Sequence, residues 1–530
     1  MSERLRFLPS GSDSFLVELD DLGISLTLLD ALLAAELKGI CEVIPGARTI
    51  MVHFDPFMTD RAKLTKQIAK LDLSVRRSRS GAFFEIPVCY NGEDLDDVAA
   101  FLGCSVEELI CRHTQATYTV AFTGFAPGFA YMTCDDPRFD VPRRQSPRVK
   151  IPAGSVALAG KFGGIYPSGS PGGWQLLGTT PLAMWDTTRK RAALLAPGDR
   201  VRFRDMAKSE TTPVSKPATK LENSHKPADG LLVTQADRPA LFQDLGRLGL
   251  ASQGVSQSGA LDRRAMLEVN RCLGNLRDAA VLEISFGGFA FKADRAVTVA
   301  VTGAPCPLTI RTAKQTRLTA TFSSPIALNA GDELILGIPP EGMLSYLGLR
   351  GGFAVDDVLG SKARDTLAKI GPEPIAVGDI LVPANGPALA VSDIGHDQRR
   401  LPRAGEVVTL DIVLGPRTDW FTAQGLATLT AQEWDVTPQS SRVGMRLFGS
   451  ATIERANHDE LPSEGTALGA IQVPPNGQPV LFLADHPLTG GYPVIGVVAS
   501  HHLDLASQIP IGARIRFNPI SAFEPQEIIV

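Results

Sequence analysis

Apolar and polar positions in the first eighty residues switch between the period of strands and the period of helices. RLRFL and TIMVHF alternate as strands do, and each precedes a run with apolar residues at helical spacing. The apolar positions of these two runs are Leu28, Leu29, Leu32, Leu33 and Leu37, then Leu64, Ile68 and Leu71. This order predicts a small α+β domain of the split βαβ type over residues 1–80.

The next segment predicts a mainly β unit over residues 81–205. It begins with the strand EIPVCY and two short helices, of which the first stops at Gly103 and the second starts at Ser105. Ser105 and Glu108 have the spacing of a capping box, and glycine commonly ends a helix. From Tyr118 onward, short alternating runs separated by Gly and Pro predict strands and turns.

A polar stretch separates the chain into two halves. Residues 206–229 contain three prolines and have almost nothing to bury, which is typical of a flexible linker. Beyond it the pattern predicts strands to the end of the chain. One helix interrupts them, from Leu261 to Leu273, and it ends at Gly274.

Three similar segments indicate how these strands are grouped. APGDRVRFRD, NAGDELILG and PIGARIRFNP each place a glycine turn before an alternating strand. A β-domain that closes with such a strand would end near each of them. We therefore expect three β-barrel-like units, one before the linker and two after it, over residues 81–205, 230–340 and 341–530.

One glycine- and proline-rich run also contains many apolar residues. Of the thirty residues from Pro152 to Pro181, twelve are Gly or Pro, yet Trp174 and several aliphatic residues lie among them. A looser version recurs over residues 465–498. This mixture predicts a folded, irregular surface built around short strands, of the kind that brings backbone N–H groups close to a ligand.

Composition excludes several classes of protein. The 530 residues are 44% apolar and 21% charged, which suits several globular domains. A net charge of −5 and a pI near 6.0 argue against nucleic-acid binding. We found no apolar stretch of signal-peptide or membrane-spanning length. We therefore expect a soluble, cytoplasmic protein with no membrane partner.

Cysteine and histidine spacing indicates no metal site. The seven cysteines are odd in number and never form a CxxC pair, so we expect reduced core residues rather than disulfides or zinc ligands. His501 and His502 are adjacent, and neighbouring residues on a regular strand face opposite sides. We predict no metal bound by this chain alone.

Two candidate clusters lie in the first half. One combines His113 with the loop TGFAPGFAYM, although a turn with aromatic packing would explain the same residues. The other is PRRQSPRVK, which runs into the glycine-rich segment. Arginine grips carboxylates and phosphates through paired hydrogen bonds, so this cluster predicts an anion site, with a solvated basic loop as the alternative. Its candidate ligands are Arg143, Arg148, Lys150, Gly172 and Gly173.

A third cluster lies where a Gly- and Ser-rich loop enters the helix predicted at 261–273. The free N–H groups and the dipole of a helix N-terminus favour anions. The candidates are Gln243, Arg247, Ser258, Asp262 and Asn270, with Glu283 as a second carboxylate. Asp262 also suits a simple helix cap, and Glu283 also suits a surface position on a strand.

A fourth cluster lies near the end of the chain. Its candidates are Arg442, Gln472, Asp485, Thr489 and Tyr492. Gln and Thr can orient a polar small molecule, and a carboxylate can act as a base or hold a cation, although buried hydrogen bonding in a barrel mouth explains the same types. Across the four clusters we take Asp262, Arg247, His113 and Asp485 as catalytic candidates and the others as ligands of substrate or anion.

Longer motifs resemble known families. HxxxxYxVxxxGFAPGFAYM, PRRQSPRxKIPAGSVALAG and GIYPSGSPGGWQLLG resemble the B-type component of bacterial ATP-dependent 5-oxoprolinase, also labelled allophanate hydrolase subunit 1 or kinase-inhibitor-like protein. QDLGRLG, GVSQSGALD, RGGFAVDDVLGSKARD, SRVGMRL, GAIQVPPNGQPV and TGGYPVIG resemble its C-type component, also called allophanate hydrolase subunit 2 or biotin-dependent carboxyltransferase-like. The chain therefore resembles a B–C fusion of the 5-oxoprolinase/urea amidolyase family.

The resemblance implies cyclophilin-like β-barrel domains, one in the first half and two in the second. It also implies ATP-driven opening of 5-oxoproline to glutamate together with a separate A-type 5-oxoprolinase protein, with ATP and Mg²⁺ acting through the assembled complex. A homo-oligomer is compatible with it. The chain lacks the Met-Lys-Met setting of a biotinylated lysine, so we expect no covalent biotin.

Two alternatives follow from the same families. The carboxyltransferase region of urea carboxylase has similar folds and would use carboxybiotin and urea. The kinase-inhibitor label suggests a non-catalytic regulator that binds a histidine kinase. These three functions remain open at this point.

The chain departs from the family patterns at matching places. Phe162-Gly163 and Pro487-Leu488 stand where the two patterns commonly have Gln-Thr pairs, Val494 replaces a Lys, and Thr179 replaces an Arg. Fewer donors would stabilise less developing negative charge. The substitutions therefore predict a site with a changed substrate or a weakened activity.

Overall fold

The computed structural model describes residues 4–74, 81–134, 136–144, 146, 148–208, 229–392 and 399–529. Strands hold 35% of the residues and helices 16%, which confirms the predicted mainly β class. The predicted linker falls mostly on residues 209–228, which lie outside the described residues. No helix in the described ranges is long and apolar enough to span a bilayer.

The N-terminal unit is an antiparallel sheet with two helices packed against it. Its elements are β1 (Arg4–Pro9), β2 (Ser14–Glu18), α1 (Leu22–Ala35), β3 (Ile40–Pro45), β4 (Thr49–Phe54) and α2 (Arg61–Ile68). The side chains of Asp21 and Asp60 cap the two helices by accepting backbone N–H bonds. Most of the predicted helical stripes are buried in the core of this unit.

The first barrel follows. Its elements are β5 (Phe83–Val88), α3 (Leu95–Phe101), α4 (Val106–Gln115), β6 (Tyr118–Thr123), β7 (Ala130–Cys134), β8 (Arg148–Ile151), β9 (Ser155–Ala159), β10 (Phe162–Ile165), β11 (Ser170–Gly172), β12 (Gln175–Thr179) and β13 (Arg200–Asp205). Seven of these strands form a sheet in the order β12-β9-β10-β7-β6-β13-β5. A bridge between Cys89 and Thr179 joins its two edges, so the sheet closes like a barrel. Ser105 caps α4 as predicted.

The middle unit is a pair of sheets with one helix. Its elements are β14 (Leu231–Ala236), β15 (Ala240–Gln243), α5 (Arg263–Leu273), β16 (Val281–Ser285), β17 (Phe289–Ala293), β18 (Val297–Gly303), β19 (Leu308–Arg311), β20 (Arg317–Thr319), β21 (Ile326–Leu328), β22 (Glu333–Leu336), β23 (Leu344–Leu349) and β24 (Ile380–Leu381). Because β23 pairs with β16 and β18, and β24 with β14, the pairing extends past residue 340. We propose a unit boundary between Leu381 and Val407.

The last unit is a closed barrel of seven strands, in the order β25-β32-β29-β30-β27-β26-β33. Its elements are β25 (Val407–Leu414), α6 (Ala423–Ala431), β26 (Trp434–Val436), β27 (Gly444–Phe448), β28 (Glu464–Gly465), β29 (Ala470–Gln472), β30 (Val480–Phe482), β31 (Thr489–Gly490), β32 (Val494–Val498), α7 (Leu503–Ser507), β33 (Arg514–Ser521) and β34 (Gln526–Ile529). In both barrels the strand after the glycine turn, β13 or β33, pairs in parallel with the first strand, β5 or β25. The third similar segment, β22, instead pairs antiparallel with β17 and β19.

The two ends of the chain meet in one sheet. Strand β34 pairs antiparallel with β1 and so extends the N-terminal sheet. Arg417, which is buried, ties the same units together by donating to Glu18 Oε1 and Glu464 Oε2, each at 2.6 Å. These contacts fix the first half of the chain against the last barrel, where the candidate site lies.

Candidate functional site

The loop between β6 and β7 carries the GFAPGF motif and projects from the first barrel onto the second half. Phe125 has a φ of +61° and Gly128 a φ of +78°, so the backbone curls back on itself. The Gly128 N–H donates to the carbonyl of Gln253 at 2.9 Å, and the Thr123 hydroxyl donates to the carbonyl of Ala251 at 3.1 Å. The loop is therefore held against the segment that leads toward α5.

The same loop contacts the segment around β31, which carries the second glycine-rich motif. The Phe125 N–H donates to Thr489 Oγ1 at 2.8 Å. A Cβ added to Gly124 would lie 2.6 Å from that oxygen, so only glycine permits the approach. Tyr131 Oη and Ser463 Oγ lie 3.3 Å apart across the same boundary. Motifs from the two halves thus form one contact, residues 124–129 against 485–492, which we call the signature-loop interface.

The glycine-rich run at 152–181 supplies aromatic rings beside this interface. The centroids of Tyr131 and Trp174 are 5.6 Å apart, and a Cβ added to Gly164 would lie 2.9 Å from the Trp174 ring. Phe162, one of the departures from the family pattern, packs edge-on against Tyr131 at 5.6 Å. The polar position of the family pattern has therefore become part of an aromatic wall.

Two further departures, Leu488 and Val494, also join apolar contacts. Leu488 and Val494 are 3% exposed each and belong to a cluster that includes Leu16 and Met51 of the N-terminal sheet. Burying such side chains contributes about 1.5–3 kcal/mol each relative to exposure. These replacements strengthen the contact between the last barrel and the N-terminal unit at the expense of polar groups near the interface.

Two of the clustered arginines are neutralised within the first barrel. Arg144 Nη1 and Arg148 Nη2 approach Asp94 Oδ1 at 2.5 and 2.8 Å, and the Leu176 N–H donates to the other Asp94 oxygen at 2.7 Å. Burial alone would raise the pKa of Asp94, but Arg148 and the other donors hold it below its usual value. Arg148 is therefore engaged in an internal ion pair rather than free to bind an anion.

The other two basic candidates of this cluster are more accessible. Arg143 pairs with Glu460 of the second half at 2.7 Å, and both side chains are partly exposed. Its Nη1 lies 3.4 Å from where a Cβ on Gly491 would be, so it borders the signature-loop interface. Lys150 is exposed, and among the described residues it has no ion pair. Of the basic candidates in this cluster, Arg143 is therefore the one that borders the signature-loop interface, and Lys150 remains an exposed side chain of β8.

Tyr492 forms the outer side of the interface. It is 39% exposed, and the Arg455 guanidinium lies 6.0 Å from its ring centroid. Gln472, which is buried, donates to the Tyr492 carbonyl at 3.1 Å. Gly172 and Gly173 are only partly buried. Accessible groups at the interface are therefore the Arg143 and Arg455 guanidinium groups and the Tyr492 ring, while Gly173, whose carbonyl accepts the Arg144 N–H at 2.8 Å, lies next to Arg143.

Behind the interface lies a buried network of charges. Arg442 Nε donates to Asp485 Oδ2 at 3.0 Å, and its Nη1 donates to Glu283. The Ser258 hydroxyl donates to Asp485 Oδ1 at 2.6 Å, and the Thr366 hydroxyl donates to Oδ2 at 2.7 Å. Burial would raise the pKa of Asp485, but Arg442 and these donors hold it below its usual value. The network thus holds Asp485 in place, and with it the start of the segment 485–489.

A second aspartate adjoins this network. Burial, and then the charge of Asp485, raises the pKa of Asp365 to about 6. Arg247 Nη2 donates to the Ala363 carbonyl at 2.5 Å, while its Nε and Nη1 have no hydrogen-bond partner in the described part of the chain. Burial lowers the pKa of Arg247, although Asp365 opposes that shift. Arg247 therefore acts as a buried positive charge that balances Asp365.

The remaining third-cluster candidates have structural contacts. Asp262 caps α5, since its Oδ1 accepts the Ala265 N–H at 2.9 Å, and its Oδ2 pairs with Arg399 at 2.8 Å. Gln243 donates to the Arg364 carbonyl and Asn270 to the Ala279 carbonyl, at 2.9 and 2.8 Å. The cap suggested for Asp262 is therefore present. Glu283, which could have been a surface residue, is instead buried.

A cavity of about 480 Å³ lies beside this network. Its charged lining residues are Asp244, Asp278, Asp357 and Lys362. Asp244 accepts the Lys362 N–H at 2.6 Å, and Asp365 is not among the residues that line the cavity. Because carboxylates outnumber ammonium groups, this cavity does not suit the purely anionic ligand predicted for the third cluster.

His113 lies apart from the other candidates. It is fully buried on α4, with Nδ1 2.7 Å from Tyr90 Oη and its ring stacked on Phe203 at 4.4 Å. Burial lowers its pKa to about 3. A neutral imidazole in the core of the first barrel contacts none of the interface residues.

The structure also corrects two sequence predictions. Cys41 and Cys89 are exposed, so the expectation that all the cysteines are core residues is wrong, although all seven are free thiols. His501 and His502 lie on a short 3₁₀ helix, Ser500–His502, rather than on a strand. Both approach Asp411, so the argument that they must diverge is wrong.

Sequence reasoning singled out Arg143, Thr489 and Asp485, which the structure places at or directly behind the signature-loop interface, but it missed several of their neighbours. Asp365 ends the motif RGGFAVDDVLGSKARD, and a carboxylate at the end of so long a motif could have been a signal. Ser463 carries no signal of its own, because only the packing of the two halves places it beside Tyr131.

Comparison with known proteins covers both halves. The model of the carboxyltransferase domain, subdomain A and B, matches residues 253–519, and the model of its subdomain C and D matches residues 5–195. The crystal structure of TTHA0988 is 31% identical, aligns with 95% of this chain and 99% of its own, and has a TM-score of 0.82.

Named relatives match one half each or both. The 5-oxoprolinase B protein of Bacillus subtilis is 39% identical over 184 residues, which is 31% of this chain and 75% of that protein. The 5-oxoprolinase C protein of Escherichia coli is 31% identical over 293 residues, 54% of this chain and 90% of that protein. Urea amidolyase of Lachancea kluyveri is 29% identical over 351 residues, 60% of this chain but 18% of that protein. The chain belongs to the carboxyltransferase-domain family, and it joins in one polypeptide the regions that resemble the B and C components of 5-oxoprolinase.

Proposed function

We propose that this chain is the B- and C-type component of an ATP-dependent amidohydrolase that opens 5-oxoproline to glutamate. The observation that carries the proposal is the hydrogen bond from the Phe125 N–H to Thr489 Oγ1. It joins a motif of the B-type region to a motif of the C-type region. A site composed of both regions gives a reason for the two to act together.

The signature-loop interface offers groups that suit a small lactam with a carboxylate. Arg143 would exchange its partly exposed ion pair with Glu460 for one with the substrate carboxylate, since guanidinium and carboxylate form paired hydrogen bonds. Tyr492 would cover the apolar ring face, and the backbone of Gly172 and Gly173 would lie beside the amide. Backbone N–H groups of this kind would then support charge that develops on the lactam oxygen.

The buried network would hold this site rather than touch the substrate. Asp485 and Arg442 fix the segment that presents Thr489, so we assign them positioning roles. Asp262 and Arg247 serve the fold around α5 and the segment near Ala363, and His113 serves the core of the first barrel. None of these side chains reaches the accessible side of the interface.

ATP and Mg²⁺ belong, in this proposal, to an A-type 5-oxoprolinase partner. When bound they would supply a phosphoryl group to the lactam oxygen, which would make the carbonyl carbon more electrophilic, so that water could add to it, the ring C–N bond could break and phosphate would be released. The interface suits the lactam better than a nucleotide, because among the described residues it has two accessible arginines, Arg143 and Arg455, for the several phosphates of a nucleotide. This chain's residues would bind the lactam and orient its carbonyl carbon for the attack by water.

The test is to mix the purified chain with its A-type partner, pyroglutamate, ATP and Mg²⁺, and to measure glutamate and ADP. We expect both products in equal amounts and only with both proteins present. Thr319, exposed on β20, supplies a matched control, because Thr319→Ala should leave the rate unchanged while Thr489→Ala lowers it. No glutamate from a folded, assembled complex would refute the proposal.

Carboxyl transfer to urea is the second candidate. It is favoured by the matched family model, described as a carboxyltransferase domain, and by the match to urea amidolyase over 351 residues. The measurement that separates the two is urea-dependent decarboxylation of carboxybiotin. Activity in that assay without glutamate formation would replace the first proposal with the second.

A further inference from the structure

Three metal-binding side chains gather on the last barrel, outside the signature-loop interface. Asp411 lies on β25, while His501 and His502 lie on the 3₁₀ helix that follows β32. The potential ligand atoms of the three residues all lie within 4.8 Å of one another. Elsewhere in the described part of the chain no other group of three or more His, Cys, Asp or Glu side chains is gathered in this way.

The spacing of these atoms matches the ligand set of a tetrahedral ion. His501 Nε2 lies 3.1 Å and His502 Nδ1 lies 3.8 Å from Asp411 Oδ2. Zinc bonds of about 2.0–2.2 Å to nitrogen and oxygen place neighbouring ligands about 3.3–3.5 Å apart in a tetrahedron. The two observed separations bracket that value, so small side-chain movements would complete one face of the tetrahedron.

Contacts around the group fix its orientation. Asn518 Nδ2 donates to Asp411 Oδ1 at 2.7 Å, which leaves Oδ2 facing the histidines. The Ala499 N–H donates to the Asp411 carbonyl at 2.8 Å, and the His502 N–H donates to the Ala499 carbonyl at 2.8 Å. Such outer contacts orient metal ligands in known sites. The 3₁₀ helix is therefore held against β25 in the position that a shared ion requires.

We propose that Asp411, His501 and His502 form a binding site for a zinc-type divalent cation, with water as the fourth ligand. Two imidazole nitrogens favour zinc over magnesium or calcium, which prefer oxygen ligands. His501 is exposed on 58% of its side chain, which gives the ion a path from solvent. This inference is independent of the proposed function.

Two existing contacts limit the affinity. The Asp411 N–H donates to His502 Nδ1 at 2.9 Å, and His501 Nε2 is hydrogen-bonded to Asp411 Oδ2 at 3.1 Å, so an ion that takes both nitrogen lone pairs must displace both hydrogen bonds. Three ligands and two displaced bonds make a weaker site than the closed four-ligand sites of structural zinc. We therefore expect a reversible site that a chelator empties without unfolding the protein.

The test is calorimetric titration of zinc chloride into the full chain after treatment with a chelator. We expect one saturable equivalent, at least tenfold weaker binding in His501→Ala and in His502→Ala, and unchanged binding in His458→Ala, a control histidine that is exposed elsewhere. Magnesium chloride should give no saturable signal. Circular dichroism checks that each variant is folded.

Cobalt(II) provides a second measurement. Bound at this site it should give the visible absorption of a tetrahedral ion with nitrogen and oxygen ligands, and His501→Ala should remove that signal. Absence of saturable zinc binding by the wild-type chain would overturn the proposal. Equal zinc binding by folded His501→Ala and His502→Ala would do the same.

Discussion

Replacement of Arg442 by methionine tests the buried network directly. Its guanidinium is 9% exposed and is the partner of two carboxylates, Asp485 and Glu283, that are 0% and 2% exposed. Arg442→Met keeps most of the volume and leaves both carboxylates buried without their ion-pair partner. Removing one partner of a buried ion pair typically costs about 3–5 kcal/mol, so we expect the free energy of unfolding to fall by about that amount.

Urea denaturation followed by tryptophan fluorescence measures this loss, since Trp434 is fully buried in the last barrel. With an m-value of about 3 kcal/mol per molar urea, the urea midpoint should fall by about 1–1.7 M. Arg446, exposed on β27, supplies the matched control, and Arg446→Met should shift the midpoint little. Arg442→Met combined with Asp485→Asn should recover part of the loss, because one unpaired charge is removed.

The loss should also depend on pH. In the wild-type chain the pKa of Asp485 is lowered, so its contribution is present above the pKa of the unfolded chain and disappears as the pH falls. In Arg442→Met burial raises the pKa of Asp485, so the variant loses stability as the pH rises through that value. The difference in the free energy of unfolding between the wild type and Arg442→Met should be larger at pH 8 than at pH 5. A loss below 1 kcal/mol, or one equal to that of Arg446→Met, would refute the reasoning.

Three further predictions follow from other parts of the structure. Gly124→Ala should lower both stability and activity, because the added Cβ would lie 2.6 Å from Thr489 Oγ1 and overpacking costs about 1–3 kcal/mol. The double variant Gly124→Ala, Thr489→Ala should recover stability but not activity. The wild-type chain should lose stability as the pH falls from 6.5 to about 3, because His113 is protonated at a higher pH in the unfolded chain than in the folded one. In acid denaturation His113→Phe should lose stability less steeply with falling pH. An identical dependence of stability on pH would contradict a buried, neutral His113. Arg417→Met should leave Glu464 buried without a counter-charge and loosen the last barrel from the N-terminal sheet, detectable as faster hydrogen exchange in β1; unchanged exchange would argue against this role.

Local sequence patterns predicted the local elements well. The cap at Ser105, the strands after the glycine turns and the helix that begins after Asp262 depend on neighbouring residues, so their signals lie in short windows. The mainly β class and the family follow from many such windows together. Unit boundaries were harder, because the pairing of β24 with β14 and of β34 with β1 joins residues far apart in the chain.

The candidate site could be predicted only in part. Residue types marked Arg143, Asp485 and Thr489, but the sequence could not tell Arg143 from Arg148, because only the fold places Asp94 beside the second. His501 and His502 were misjudged because a strand was assumed where a 3₁₀ helix forms. Long-range packing decides which charges are paired, and a single sequence does not contain that information in local form.

In the proposed function, residues from both halves of the chain form one substrate site at the signature-loop interface. The most direct measurement is kcat/KM for pyroglutamate, in the presence of ATP and the A-type partner, for Arg143→Ala from the first half and Thr489→Ala from the second. We predict that each falls at least tenfold, while Arg204→Ala and Thr319→Ala, which alter exposed residues, keep the wild-type value. Wild-type kcat/KM in both Arg143→Ala and Thr489→Ala would contradict the account.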